Sequence, residues 1–235
     1  MNWRMLLAVA LIFLVGCGSP GTSPGGSVPG TGSLTGSVRD SVSGFNILDG
    51  EVRIDDQVVP IRDGAFQISG LNTGTYTMTV TKDHYEIYRS EVRISRGSNY
   101  VEIALKTKYS HKDLELLARL VRAEAEGEPF EGQIAVAASV LRRVLSKAYP
   151  NTISGVVYEQ NPPGTYQFEP VLRGTINNSP NDNAWAAVWH ALAGNEPAPG
   201  ATGFYNPRLT TNKWVRQQPV IKVIGKHVFF RTLSD

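Results

Sequence analysis

The apolar residues of this chain change their period once, near residue 107, and that change limits the folds open to it. Before it they alternate; after it they recur every three or four positions. Alternation places successive side chains on opposite faces of a strand, whereas the longer period lines one face of a helix. Strands followed by helices make two modules of different class rather than one interleaved sheet. In the first module, residues 34–107, strands are expected over 34–39, 51–54, 65–68, 75–80, 88–94 and 100–105. Arg62-Asp63-Gly64 and Asn72-Thr73-Gly74 supply turn residues between them. Short strands at this spacing predict an all-β sandwich.

The second module, residues 109–235, reads as α+β. A helix is expected over 114–125, opened by Ser110 with Asp113 three residues on, the spacing of a capping box. Further helices are expected over 132–145 (apolar almost all round, so buried), 152–159 and 182–193, the last closed by Gly194-Asn195. Residues 220–224 and 227–230 alternate around Gly225-Lys226 and predict a hairpin. Trp185 and Trp189, one helical turn apart, are expected to pack in the core rather than to form a binding platform.

One acid in the first helix stands out. Leu114, Leu117, Ala118, Val121 and Ala125 form its apolar stripe, and Glu115, Arg119, Arg122 and Glu126 fall opposite. Glu124 lands beside Leu117, at the edge of the stripe. Desolvation there raises a carboxyl above its ordinary value of about 4.3 and keeps it protonated, as a general acid near neutral pH must be. The competing reading is a helix-end glutamate paired with Arg119, Arg122 or Arg143.

Two later segments suit a saccharide. Tyr166, Gln167 and Phe168 follow a Pro162-Pro163-Gly164 turn, and Phe204-Tyr205-Asn206-Pro207 is expected as a second loop. Aromatic rings stack on sugar faces and amides hydrogen-bond to hydroxyls, so Gln167, Phe168, Tyr205 and Asn206 are the candidate contacts. The alternative is that Tyr166, Phe168, Phe204 and Tyr205 are core aromatics. His84, His111, His190 and His227 lack metal-ligand spacing, and no phosphate loop or serine elbow occurs, so neither metal nor cofactor is expected. A net charge of +2 does not describe a strongly basic nucleic-acid binder, though it is compatible with anionic polymers.

The N-terminus sets the expected compartment. Arg4, an apolar run over 5–15 and Leu14-Val15-Gly16-Cys17 have the form of a bacterial lipoprotein signal, residues 1–17, ending in a lipobox. The run is too short to span a bilayer. Cys17 is the chain's one cysteine, leaving no disulfide and no cysteine nucleophile beyond the lipidation site. Residues 18–33, rich in Gly, Ser, Pro and Thr, read as a flexible tether reaching roughly 20–25 Å. The expected location is the extracytoplasmic face of a membrane, held by lipidated Cys17.

From about residue 112 to 231 the chain resembles the cell-wall hydrolase family of spore-cortex-lytic enzymes, the SleB type. The resemblance rests on Ala123-Glu124-Ala125-Glu126-Gly127-Glu128-Pro129-Phe130-Glu131-Gly132-Gln133, on Tyr149-Pro150-Asn151-Thr152-Ile153-Ser154-Gly155, on Tyr166-Gln167-Phe168-Glu169-Pro170-Val171, on Phe204-Tyr205-Asn206-Pro207 and on Ile224-Gly225-Lys226-His227-Val228-Phe229. It implies a lysozyme-like domain that cleaves peptidoglycan glycan strands between N-acetylmuramic acid and N-acetylglucosamine, with Glu124 at the catalytic position. It further implies a lytic transglycosylase using one acid, with a hydrolytic muramidase or a non-catalytic wall-binding lipoprotein as alternatives. Glu128, Glu131, Glu159 and Glu169 are expected as surface or structural acids. Where the family pattern reads Leu-Asn-Arg-Val this chain has Leu141-Arg142-Arg143-Val144, a difference that bears on substrate contact. The first module resembles carboxypeptidase-regulatory-like (transthyretin-like) or PEGA-like modules through Asp63-Gly64-Ala65-Phe66, Gly70-Leu71 and Gly74-Thr75-Tyr76. That resemblance implies a spacer or a wall-binding unit.

Overall fold

The computed structural model describes residues 30–233. The signal segment, Cys17 and most of the expected tether lie outside the described residues. The first module has seven strands: β1 (Thr31–Asp40), β2 (Glu51–Ile54), β3 (Gln57–Pro60), β4 (Ala65–Asn72), β5 (Gly74–Thr81), β6 (Tyr88–Ile94) and β7 (Gly97–Leu105). They form two sheets, ordered β4-β1-β7 and β3-β2-β5-β6. β1 runs parallel to β7, pairing Val38 with Ile103, and the other pairings are antiparallel. Leu34, Val38, Val52, Ile54, Ile68, Met78, Val80 and Ile103 point inward and are buried, the alternation expected of strands with one face on a core.

Two details differ from the sequence reading. β1 starts inside the stretch expected as tether, because Thr31 and Gly32 pair with Asn72 and Leu71. β3 escaped notice because none of its four residues is fully buried, so no alternation shows. Asn72-Thr73-Gly74 separates two strands as expected, and because β4 pairs with β1 and β5 with β2 and β6, the chain crosses between sheets there.

The second module comprises α1 (His111–Ala125), α2 (Phe130–Leu145), α3 (Ile153–Val157), α4 (Glu169–Arg173), a 3-10 turn (Thr175–Asn177), α5 (Asp182–Leu192), β8 (Gly203–Tyr205), α6 (Lys213–Arg216), β9 (Val220–Ile224) and β10 (His227–Phe230). α1 opens with a complete capping box: Ser110 accepts from Asp113 N, and the Asp113 carboxylate accepts from Ser110 N. Such a cap contributes about 1 kcal/mol. α2 is the central helix, buried from Gly132 to Leu141 and packed against both α1 and α5. β8, β10 and β9 form a small antiparallel sheet in that order. The segment expected as a loop at Phe204-Tyr205 is therefore a strand, with Phe204 opposite Phe229 and Tyr205 opposite Val228. Three residues are too few to display a period, and only the free edge of β10 made them a strand.

The modules touch. Leu48 N donates to Ala193 O at 2.8 Å, and the Phe45 ring lies 4.6 Å from that of His190. His84, buried and with φ of 70°, shares a 2.7 Å hydrogen bond with the Tyr109 hydroxyl. Burial and the nearby Lys82 and Lys108 charges hold its imidazole neutral, with a pKa lowered to about 3. Arg142 lines a cavity of about 190 Å³ at this junction, together with Asp49, Lys82, His84 and Glu196. The arginine that breaks the Leu-Asn-Arg-Val pattern thus lies on the cavity at the junction of the two modules.

Candidate active site

Three acids alternate where α1 gives way to α2, and the fold treats each differently. Glu126, the C-cap, accepts from Arg122 Nε and from Asn181 Nδ2, both at 3.1 Å. Glu128 Oε2 accepts the Lys226 backbone N–H at 2.8 Å. Glu124, half-buried in the last turn of α1, receives no hydrogen bond or ion pair among the described residues. Two of the arginines that might have neutralised it are engaged elsewhere: Arg119 with Glu115 at 2.5 Å, Arg122 with Glu126 and with Ser179 O. Arg143 donates from Nε to Thr202 O at 2.5 Å, its guanidinium lying 5.0 Å from the Tyr149 ring centre and 5.2 Å from that of Phe168.

Burial pushes the Glu124 carboxyl up to about 7, and the negative charge of Glu169 adds to the effect. A carboxyl so placed is largely protonated at neutral pH and ionises readily after giving its proton away. It has the property a general acid that must later serve as base requires. Glu169 starts α4, which packs on α1, and its own carboxylate pairs with Arg173 at 2.6 Å. Of the other acids weighed above, Glu131 pairs with Lys222 at 2.6 Å, and burial raises Glu159 while the Arg143 charge opposes that shift. Glu169 is the one whose charge reaches Glu124. Spacing alone gave no signal for it, because 45 positions of chain separate the two and only α4 packing closes the gap.

The four predicted sugar contacts fare unequally. Gln167 is exposed just before α4, but its Nε2 donates to Asn161 O at 3.0 Å and its N–H to Glu159 O, so part of its capacity closes the loop. Phe168, 4% exposed, packs under Arg143 and against Phe204; it is a core aromatic and presents no ring face to a ligand. Tyr205 lies on the face of β8 opposite Phe204, with its ring 6.0 Å from Phe230. Asn206 Oδ1 accepts from Arg208 N at 2.9 Å and shapes the following turn. The fold therefore brings Gln167 and Phe168 to the start of α4, the helix that packs on α1, and sets Tyr205 on the face of β8 opposite Phe204. His227, 7% exposed, packs between Phe204 and Phe229, and burial lowers its pKa. Among the described residues no cluster of His, Cys, Asp or Glu could hold a metal, and no helix is long and apolar enough to cross a membrane.

The cell wall hydrolase family profile matches residues 127–230, beginning just after Glu124. A cell wall hydrolase, CwlJ, of Oceanobacillus iheyensis is 32% identical over 135 residues, covering 54% of this chain and 93% of the relative. This chain belongs to the cell wall hydrolase family. The spore cortex-lytic enzyme of Bacillus cereus is 44% identical to this family member over 121 residues, covering 52% of this chain and 45% of the relative. The match thus spans a little under half the length of that curated enzyme. The solved catalytic domain of the germination-specific lytic transglycosylase SleB from Bacillus anthracis is 42% identical, covering 53% of this chain and 98% of that domain, with a TM-score of 0.49. The first module of this hydrolase-family chain lies outside the profile match.

Proposed function

We propose that this protein cleaves peptidoglycan glycan strands between N-acetylmuramic acid and N-acetylglucosamine as a lytic transglycosylase, with Glu124 as acid and then base. The observation that carries the reading is an unpartnered, half-buried carboxyl, pushed up to about 7, in a cell wall hydrolase. In the first step Glu124 gives its proton to the glycosidic oxygen as the bond from muramic C1 breaks. In the second the carboxylate takes the proton of the muramic C6 hydroxyl, whose oxygen closes on C1. The product is a 1,6-anhydro ring, no water is consumed, and Glu124 is protonated again. The domain is read as lysozyme-like, the sandwich as a carboxypeptidase-regulatory-like spacer or wall-binding module, and lipidated Cys17 as the membrane anchor.

Mass spectrometry of fragments released from purified peptidoglycan tests the reaction. Anhydro-muropeptides are the expected product. Reducing-end muramic products, heavier by one water, would instead make the protein a hydrolase, and binding without release a wall-binding protein.

Glu169 gives the hydrolytic reading its one specific support, since retaining and inverting hydrolases both need a second carboxylate near the first. Glu169→Gln separates the two. If Glu124 acts alone, removing the neighbouring charge lets it ionise more easily, so the alkaline limb of the kcat/KM profile moves to lower pH while turnover at acidic pH persists. If Glu169 is nucleophile or base, turnover is lost across the whole profile, by about 10²-fold or more.

A further inference from the structure

Glu124 projects from the last turn of a helix, where backbone hydrogen bonds run out and fraying is the default. Here that turn is held from two sides. Glu126 ties it to α5 through Asn181, and Glu128 ties it to the tip of the β9–β10 hairpin through the Lys226 N–H, across 98 positions of chain. The hairpin tip is shaped for this contact. Gly225 has φ of 57°, and a Cβ there would collide with the Glu128 carboxylate and come within 2.6 Å of the Pro129 ring. Gln133, 5% exposed, donates from Nε2 to Glu128 O at 3.2 Å, and Lys222 on β9 reaches Glu131 at 2.6 Å. The two motif blocks at 127–133 and 224–229 are therefore the two halves of one clasp.

We propose that Glu128 is a positioning residue. By accepting the Lys226 N–H it locks the hairpin onto the α1–α2 turn and so fixes the helix end from which Glu124 projects. The inference rests on Glu124 being the reacting acid. Glu128 holds the turn rather than reacting, because its Oε2 accepts the Lys226 N–H and so forms the link between the turn and the hairpin tip. Catalytic groups must be held to about 0.5 Å, and a displacement of about 1 Å can cost about 10²-fold in rate.

The test compares Glu128→Ala, Glu128→Gln and Glu124→Gln in the full chain, reading kcat and KM on soluble glycan fragments and hydrogen exchange at the Lys226 amide. Glu128→Ala is expected to lower kcat about 10²-fold with KM little changed, to speed Lys226 exchange, and to leave the far-UV spectrum intact. Glu128→Gln, whose amide oxygen accepts the same N–H, is expected to rescue most of both losses. Wild-type kcat in Glu128→Ala, or unchanged Lys226 exchange, overturns the proposal. So does a Gln variant as inactive as the Ala variant, because the charge itself would then be at work. Full activity in Glu124→Gln would instead remove the reading of the site, while the exchange result would still decide the clasp.

Discussion

Replacing Glu124 by Gln removes activity and, above neutral pH, strengthens the fold. General acid–base catalysis contributes about 10²–10⁴-fold, and an amide cannot donate or take back the proton, so turnover on peptidoglycan should fall by at least that factor. The stability change follows from the same burial. The carboxyl titrates near 7 in the folded chain and near its ordinary value of about 4.3 in the unfolded one. Below that ordinary value both states are protonated and the group contributes nothing. As pH rises between the two values the unfolded chain gives up its proton first, so the folded state loses ground, and the penalty is complete above 7. A shift of this size corresponds to on the order of 3 kcal/mol, and Gln, which never ionises, escapes it. Thermal unfolding of both proteins at pH 4.5 and pH 8 checks the sign: near-equal stability at the lower pH, and a more stable variant at the higher. Equal stability at both would mean that Glu124 is better solvated than its place at the edge of the α1 stripe implies.

Phe229→Ala is expected to be the most damaging core substitution in the small sheet. Phe229 is 0% exposed, pairs directly with Phe204 on β8, and lies between that strand and β9. Truncating a buried phenylalanine costs about 3–5 kcal/mol through lost burial and the cavity left behind. For a chain of this size that lowers the unfolding temperature by about 10 °C. The loss also reaches the site, because β10 follows directly from the hairpin tip that Glu128 holds. Activity should therefore decline at temperatures where the helices are still folded. Phe229→Leu keeps most of the volume and should cost about 1.5 kcal/mol or less. Denaturant titration with separate far-UV and tryptophan readouts makes the comparison; an Ala variant within 1 kcal/mol of the native protein would show that β10 does not close the core.

Where a residue's neighbours lie within one turn or one strand, the chain was readable. The capping box at Ser110 and Asp113, the stripe that ends beside Glu124, the buried α2 and the hairpin around Gly225-Lys226 all follow from local periods and local caps. Such patterns are repeated several times over within an element, so they survive the noise of single positions. Phe204-Tyr205 offered no such repetition, and β3 was exposed on nearly every residue, so both strands were invisible until a partner strand was in place. Phe168 shows the opposite failure. As a loop aromatic it suited a sugar, and only the arrival of Arg143 above it and Phe204 beside it made it core.

The sequence by itself determined the division into a sandwich and an α+β module, the helix that carries Glu124, and the placement of that acid at the edge of an apolar stripe. These depend on periodicity, which short-range sterics impose without reference to the rest of the chain. The tertiary structure alone decided which acids are occupied. Glu126 met Asn181, Glu128 met Lys226, Glu169 came within electrostatic reach of Glu124, and Arg142 faced the sandwich. Each of these pairs joins distant stretches of chain. Hydrogen bonds and desolvation depend on distance in space, which spacing along the chain does not encode.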